Sequence, residues 1–452
     1  MHSHTSFTLI LHLIFLSSIK FGSRGLPLGI RSINSFAGIG VTSILPIPKV
    51  HDNDSIDSYE YDGEDVRLSF YVGTKRGELK KITIHPKQTH DNDDDDDDVH
   101  IQCIEDENGC KSKTPYPIFS MMSLPINSDQ YHVVLTGSGN RYITVWKQDK
   151  QEQQSNDEVS SKWNIKATLG PHTGWVKDLA SSPLHPDQSS TQNVNLEEEK
   201  FVFSIGCNCI EIWRTINGET YEHAHKLMIE SSVEMGSTLS SDILCLATSS
   251  HSYHHHSTNH HSYYLLAGGV DGRIHRWTIC NNSFSNAEVL YGPGHNGRLN
   301  SLLVCDDLRV VVSIGNDGFV KCWMLDDCDG DFMDRCVCSI NVNDEYATQE
   351  ANAIKLTCSC VLLEKQELAI IGIGTACGKV FLAEISNDRV SDDDGDAMSM
   401  KLLDARTAVE SSSSKGCTIH SIASQNKHIL IGHSEGISLW KSPLSRESTE
   451  TA

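Results

Sequence analysis

Apolar runs of about four to eight residues recur along this chain, each bounded by Gly, Asn, Asp or Ser, the patterning of short strands joined by tight turns. The clearest unit starts at Gly294-His295-Asn296-Gly297-Arg298-Leu299 and continues through an apolar stretch from Ser301 to Cys305. It then reads Val310-Val311-Val312-Ser313-Ile314-Gly315-Asn316-Asp317-Gly318 and closes on Phe319-Val320-Lys321-Cys322-Trp323. This predicts a strand, a short gap, a second strand, an Asp-Gly hairpin turn and a third strand.

The unit repeats in eroded form. Gly170-Pro171-His172-Thr173-Gly174-Trp175-Val176 precedes Phe201 to Ile205, which contains Ser204, and Ile210-Glu211-Ile212-Trp213; Cys207-Asn208-Cys209 stands where the turn Asp would be. Ile243 to Ala247 precedes Tyr264 to Gly272 and Ile274-His275-Arg276-Trp277, keeping the turn and the Trp but losing the Gly-His opening. Val133 to Gly137, with Asn140 in the turn, leads to Ile143-Thr144-Val145-Trp146. Thr418 to Ala423 leads through Ile429 to Gly432 into Ile437-Ser438-Leu439-Trp440. Two further copies keep the strand pattern without the Trp: Phe70 to Gly73 with Leu79 to Ile82, and Ala369 to Gly372 with Val380 to Ala383.

These residues resemble the repeat of the WD-repeat (transducin-like) β-propellers, which opens near Gly-His and ends near a Trp on its third strand. The resemblance implies an all-β, seven-bladed β-propeller. It also implies a structural tetrad within a blade, the turn Asp, the His, a second-strand Ser and the Trp, here Asp317, His295, Ser313 and Trp323. A buried imidazole and a buried indole N–H each need a partner, so such a chain of hydrogen bonds ties a loop to two strands.

The seven closing positions, Ile82, Trp146, Trp213, Trp277, Trp323, Ala383 and Trp440, lie 46 to 67 residues apart, longer than the usual period of about 40 to 45. Polar insertions near 88–99, 148–161, 184–199, 250–262 and 387–398 account for the surplus and are expected to be disordered. After Trp440 no apolar run remains for a last strand, whereas Leu28 to Phe36 reads as an extended segment without a partner. That segment is expected to complete the last blade, because joining the chain ends removes two strand edges. The propeller then spans 28–443, between an N-terminal segment 1–27 and a polar tail 444–452.

Composition adjusts this picture little. At 38% hydrophobic and 21% charged, the chain has ample material for a large core. Its 37 basic and 60 acidic residues give a net charge of -23, which opposes nucleic acid and anionic lipid unless basic residues gather locally, and no basic run occurs in the sequence. The 15 cysteines are scattered through the strands as small apolar residues, the pattern of a reducing compartment. Cys207/Cys209, Cys336/Cys338 and Cys358/Cys360 each put two thiols on one strand face, too few for a four-ligand zinc site.

At the N-terminus, Phe7 to Leu16 is too short to span a bilayer, and no Asp or Glu occurs before Asp52. Signal peptide, transit peptide and disordered tail all remain open for 1–27. An organelle or the cytoplasm is the expected location, and no membrane span is expected.

Catalytic signatures are missing: there is no Gly-x-Ser-x-Gly turn, no phosphate loop ending in Lys-Ser or Lys-Thr, and no His-Glu-x-x-His. The glycine spacing of Gly372 to Gly378 is wrong for a dinucleotide fingerprint. Six histidines between His251 and His261 read as a low-complexity insertion, so no metal and no cofactor is expected. His295, Ser313 and Asp317 mimic a hydrolytic set, but the resemblance makes them structural.

The expected function is a non-catalytic scaffold or adaptor, not an enzyme, binding other proteins or peptides through loops of one propeller face. By position that face takes in Trp175, Arg298, Asp242, Arg76, Arg141 and Tyr142, and Trp and Arg are favoured at binding hot spots. The alternatives are a propeller enzyme with clustered His, Asp or Glu in the channel, or a subunit of an RNA-associated complex, which needs a basic face.

Overall fold

The computed structural model describes residues 31–32, 39–47, 68–85, 98–104, 116–124, 131–149, 163–183, 199–229, 242–249, 262–280, 283–289, 294–325, 336–345, 354–388, 397–407, 417–425 and 428–441. Nearly all are strand, in seven antiparallel sheets whose strands mostly follow one another in chain order. Blade one consists of Val41–Pro46, Leu68–Thr74, Leu79–His85 and Asp98–Cys103. Blade five consists of Leu299–Cys305, Val310–Gly315, Phe319–Met324 and Cys336–Asn341. In blade four, Ser283–Phe284 and Glu288–Val289 share the outermost place beside Ile274–Cys280.

Blade seven supplies three strands in sequence, Ile419–Gln425, His428–His433 and Gly436–Lys441. Its fourth comes from the other end of the chain: Arg31–Ser32 pairs antiparallel with Leu439 and Ser438. The ring therefore closes as a seven-bladed β-propeller, within the segment Leu28 to Phe36 foreseen for that role. The rest of that segment lies outside the described residues.

The core lies between blades as much as within them. Trp323 and Val311 of blade five bury themselves against Tyr264 and Leu266 of blade four. Trp440 of blade seven does so against Cys358, Cys360 and Leu362 of blade six. The alternate thiols Cys358 and Cys360 thus face a neighbouring sheet. All described cysteines are free, and among the described residues no group of three metal-ligating side chains occurs.

Two devices fix the register between blades. Each inner strand carries a register shift at its start: Val41/Ser43, Ile118/Ser120, Val176/Leu179, Ile243/Cys245, Leu299/Ser301, Leu356/Cys358 and Ile419/Ser421. A bulge of this kind leaves a residue unpaired and re-aims its side chain. The second device is a glycine on the second strand that admits the first inner-strand residue of the next blade. A Cβ on Gly73 would stand 2.8 Å from Cγ2 of Ile118 in blade two, and one on Gly432 would stand 2.6 Å from Cγ1 of Val41 in blade one.

The predicted insertions fall mainly outside the described residues, but their margins need correction. Asp98–Cys103, Ile143–Asp149, Glu199–Gly206, Ser262–Gly269, Lys379–Asp388 and Ala397–Thr407 are strands that reach into them. Asp98 pairs with His85, and Ala397 with Asp388. Pairing there runs through backbone groups, which polar side chains do not prevent.

Candidate protein-binding face

Because every blade is an antiparallel meander, the turns between second and third strands and the connections from one blade to the next emerge on the same face. Backbone hydrogen bonds join the two sets: Lys75 N–H donates to Gly40 (2.8 Å), His172 to Arg141 (2.9 Å), Val270 to Asp242 (3.0 Å) and Asn316 to Arg298 (2.9 Å).

In blade five, His295 Nδ1 lies 2.9 Å from Asp317 Oδ1, its Nε2 lies 2.8 Å from Ser313 Oγ, and the Trp323 indole donates to the same Oγ at 2.8 Å. Burial pushes the Asp317 carboxyl up, but the hydrogen bond and charge interaction with His295 bring it below the usual carboxylate range. Gly318, at φ +80°, completes the Asp-Gly turn in a backbone region that glycine adopts without strain. The imidazole is a buried link between the turn and the second strand.

Blade three keeps the arrangement without the acid. His172 Nε2 lies 2.8 Å from Ser204 Oγ, to which Trp213 donates at 3.0 Å, while Nδ1 faces the Arg141 carbonyl of blade two at 3.0 Å. A backbone acceptor from the neighbouring blade replaces the missing Asp. Blade four keeps its acid and takes the histidine from its third strand, His275 Nε2 lying 3.3 Å from Asp271 Oδ2.

The face around these links holds the residues expected to bind partners. Trp175 is 56% exposed and stacks on Phe119 of blade two, centroids 5.5 Å apart and planes inclined by 22°. It both packs on a neighbouring blade and presents its outer surface to solvent. Tyr116, 47% exposed, lies beside the blade-two turn, its Cβ 3.4 Å from the point where Gly139 would carry one. Arg76, Arg141 and Arg298 are exposed, and Asp242 and Tyr142 half-buried. The Tyr142 ring lies 2.9 Å from the Cβ position of Gly170, beside the Trp175 loop.

A cavity of about 430 Å³ opens at the channel mouth, lined by Thr42, Lys75, Pro117, Phe119, Lys177, Leu244, Arg298, Asn300, Thr357 and His420. Of the expected set only Arg298 lines it. Seven of these residues are equivalent: each is the second residue of an inner-strand start and sits in the register shift described above. Sequence reading missed them, although the signal is periodic once the strand starts are aligned.

Three polar members of this ring bind the next blade. Thr42 donates to the Ile118 carbonyl, Asn300 to the Leu356 carbonyl at 2.6 Å and Thr357 to the Ile419 carbonyl at 2.7 Å. His420 lies 3.2 Å from Ser434 Oγ, and burial, helped by the positive charge of Lys75, pushes its pKa down to about 4, so it is neutral at pH 7. Among the described residues no Asp or Glu lines the mouth. The expectation that basic residues do not gather is therefore corrected: Lys75, Lys177 and Arg298, far apart in sequence, are brought to one opening by ring closure.

Burial elsewhere shifts several thiols. It raises the thiol of Cys209, and it pushes Cys305 and Cys358 up to about 12, which holds them protonated.

Seven antiparallel sheets closed by Arg31–Ser32, with a His–Ser–Trp chain in two of them, make up a seven-bladed β-propeller. Neither a family model nor a curated protein matches the sequence; solved structures do match its fold. The structure of U3-55K is 14% identical over 91% of this chain and 98% of its own, with a TM-score of 0.52. The RRP9 WD40 repeats are 14% identical over 91% and 99%, with a TM-score of 0.49. The WD40 β-propeller domain of Doa1 is 14% identical over 89% and 96%, with a TM-score of 0.46. At that identity the likeness concerns the fold. Among the described residues no helix is long and apolar enough to cross a membrane.

Proposed function

We propose that the chain is a non-catalytic scaffold that binds other proteins or peptides through the face carrying Trp175. The observation behind this reading is the 56% exposed indole stacked on Phe119, which lines the channel mouth. A large, half-bared aromatic held in place by a second ring offers contact area at little entropic cost. The makeup of the mouth also favours binding over turnover, since among the described residues no carboxylate lines it to pair with its single histidine in acid–base work.

The test is Trp175→Ala in the full-length chain, with its N-terminus left free. Melting should move little, because the side chain is mostly in solvent. Polypeptides captured by proximity labelling in the native cell should be lost from the variant. An unchanged set of captured polypeptides would remove the basis for this assignment.

A further inference from the structure

The cations at the mouth deepen the scaffold reading, on which the following rests. Lys75 belongs to blade one, Lys177 to blade three and Arg298 to blade five, and all three line one opening of about 430 Å³. Among the described residues none of their side chains makes a hydrogen bond or ion pair, although three polar neighbours in the same lining, Thr42, Asn300 and Thr357, are engaged with backbone carbonyls. In a chain of net charge -23, three unpaired cations converging on one opening are the reverse of the average surface.

We propose that this mouth receives an acidic peptide segment of a partner protein, one carboxylate side chain entering among Lys75, Lys177 and Arg298 while an adjacent apolar side chain of the peptide rests on Trp175. The arrangement of charges favours this occupant over nucleic acid. Cations set around a circle meet a single anionic group from several sides. A polynucleotide strand instead needs positive charge along a track, with stacking platforms at successive bases. Phe119 joins the two halves of the surface, since it lines the mouth and supports the indole. The acidic remainder of the chain repels an anionic peptide elsewhere, so attraction is confined to this opening.

The experiment measures fluorescence polarisation of short labelled peptides with the full-length chain. One peptide carries aspartates around a Leu-Phe pair, a second carries asparagines in their place, and a uridine oligonucleotide of similar length is the third probe. The aspartate peptide should bind more tightly than the other two, and added salt should weaken it. Arg298→Glu and Lys177→Glu should each weaken it by about tenfold, with melting unchanged, and Arg298→Lys should retain most of the binding. Equal binding of the aspartate and asparagine peptides, tighter binding of the oligonucleotide, or indifference to both charge reversals would each overturn the proposal. If the peptide assay fails while Trp175→Ala still strips captured polypeptides, the scaffold reading survives and the acidic ligand does not.

Discussion

Trp146, Trp213 and Trp323 donate their indole N–H groups to Thr136, Ser204 and Ser313 at 3.1, 3.0 and 2.8 Å. Trp440 is equally buried, but among the described residues its Nε1 has no acceptor. The register explains why. Val311 pairs with Trp323 and Ser313 lies two residues further on; in blade seven Ile429 pairs with Trp440 and Ile431 stands at the equivalent place. An orphaned buried donor carries a desolvation penalty that its removal relieves, whereas removing a satisfied donor strands its acceptor. Trp323→Phe should therefore cost about 1 to 2 kcal/mol more than Trp440→Phe in urea denaturation; equal losses would show that the indole bonds contribute nothing. The blade-five tetrad was legible because its four residues keep the spacing of the repeat. The substitutes in blades three and four were not, since a carbonyl from the preceding blade and a histidine on another strand leave no mark in a local pattern.

At the scale of strands, the closure rests on two residues, Arg31 and Ser32, paired with Leu439 and Ser438. They fill the fourth place in blade seven, next to the strand that holds Trp440. A chain beginning at residue 28 should melt like the full-length protein, while one beginning at residue 38 should melt lower and aggregate through the bared edge of Gly436–Lys441. Differential scanning calorimetry with light scattering distinguishes the two, and equal melting of both chains would remove any role for the clasp. Inner and middle strands were readable because β-branched runs alternate with turn residues there. Strand ends such as Asp98 and Ala397 escaped, because an outermost strand is held by its backbone and its composition merges with the polar tract beside it.

For the molecule as a whole, acid sensitivity follows from three buried groups. Burial pushes both His420 and His433 down to about 4, whereas in the unfolded chain each takes up its proton near 6.5. Between these values the unfolded state binds more protons, so their contribution to stability is complete above about 6.5 and is lost as the pH falls toward 4. Asp178 acts in the opposite sense: burial pushes it up to about 6 from 3.8, although Leu246 and Leu179 donate their amides to it. Its protonated form favours the folded state, and its contribution declines as the pH rises over the same interval. The urea midpoint should fall from pH 6.5 to pH 4, and Asp178→Asn should steepen that fall. A shallower profile in the variant would mean that Asp178 is ionised in the folded chain at pH 4 to 6.

The contact that lets Gly432 admit Val41 is the same one by which Gly73 admits Ile118, so the seam between blades seven and one, whose facing strands are far apart in sequence, is built like a seam between blades that follow one another. Geometrically the circle has no privileged origin. Linking Gly436–Lys441 directly to Arg31–Ser32 and cutting the link between third and fourth strands in another blade would trace the same circuit from a different starting point.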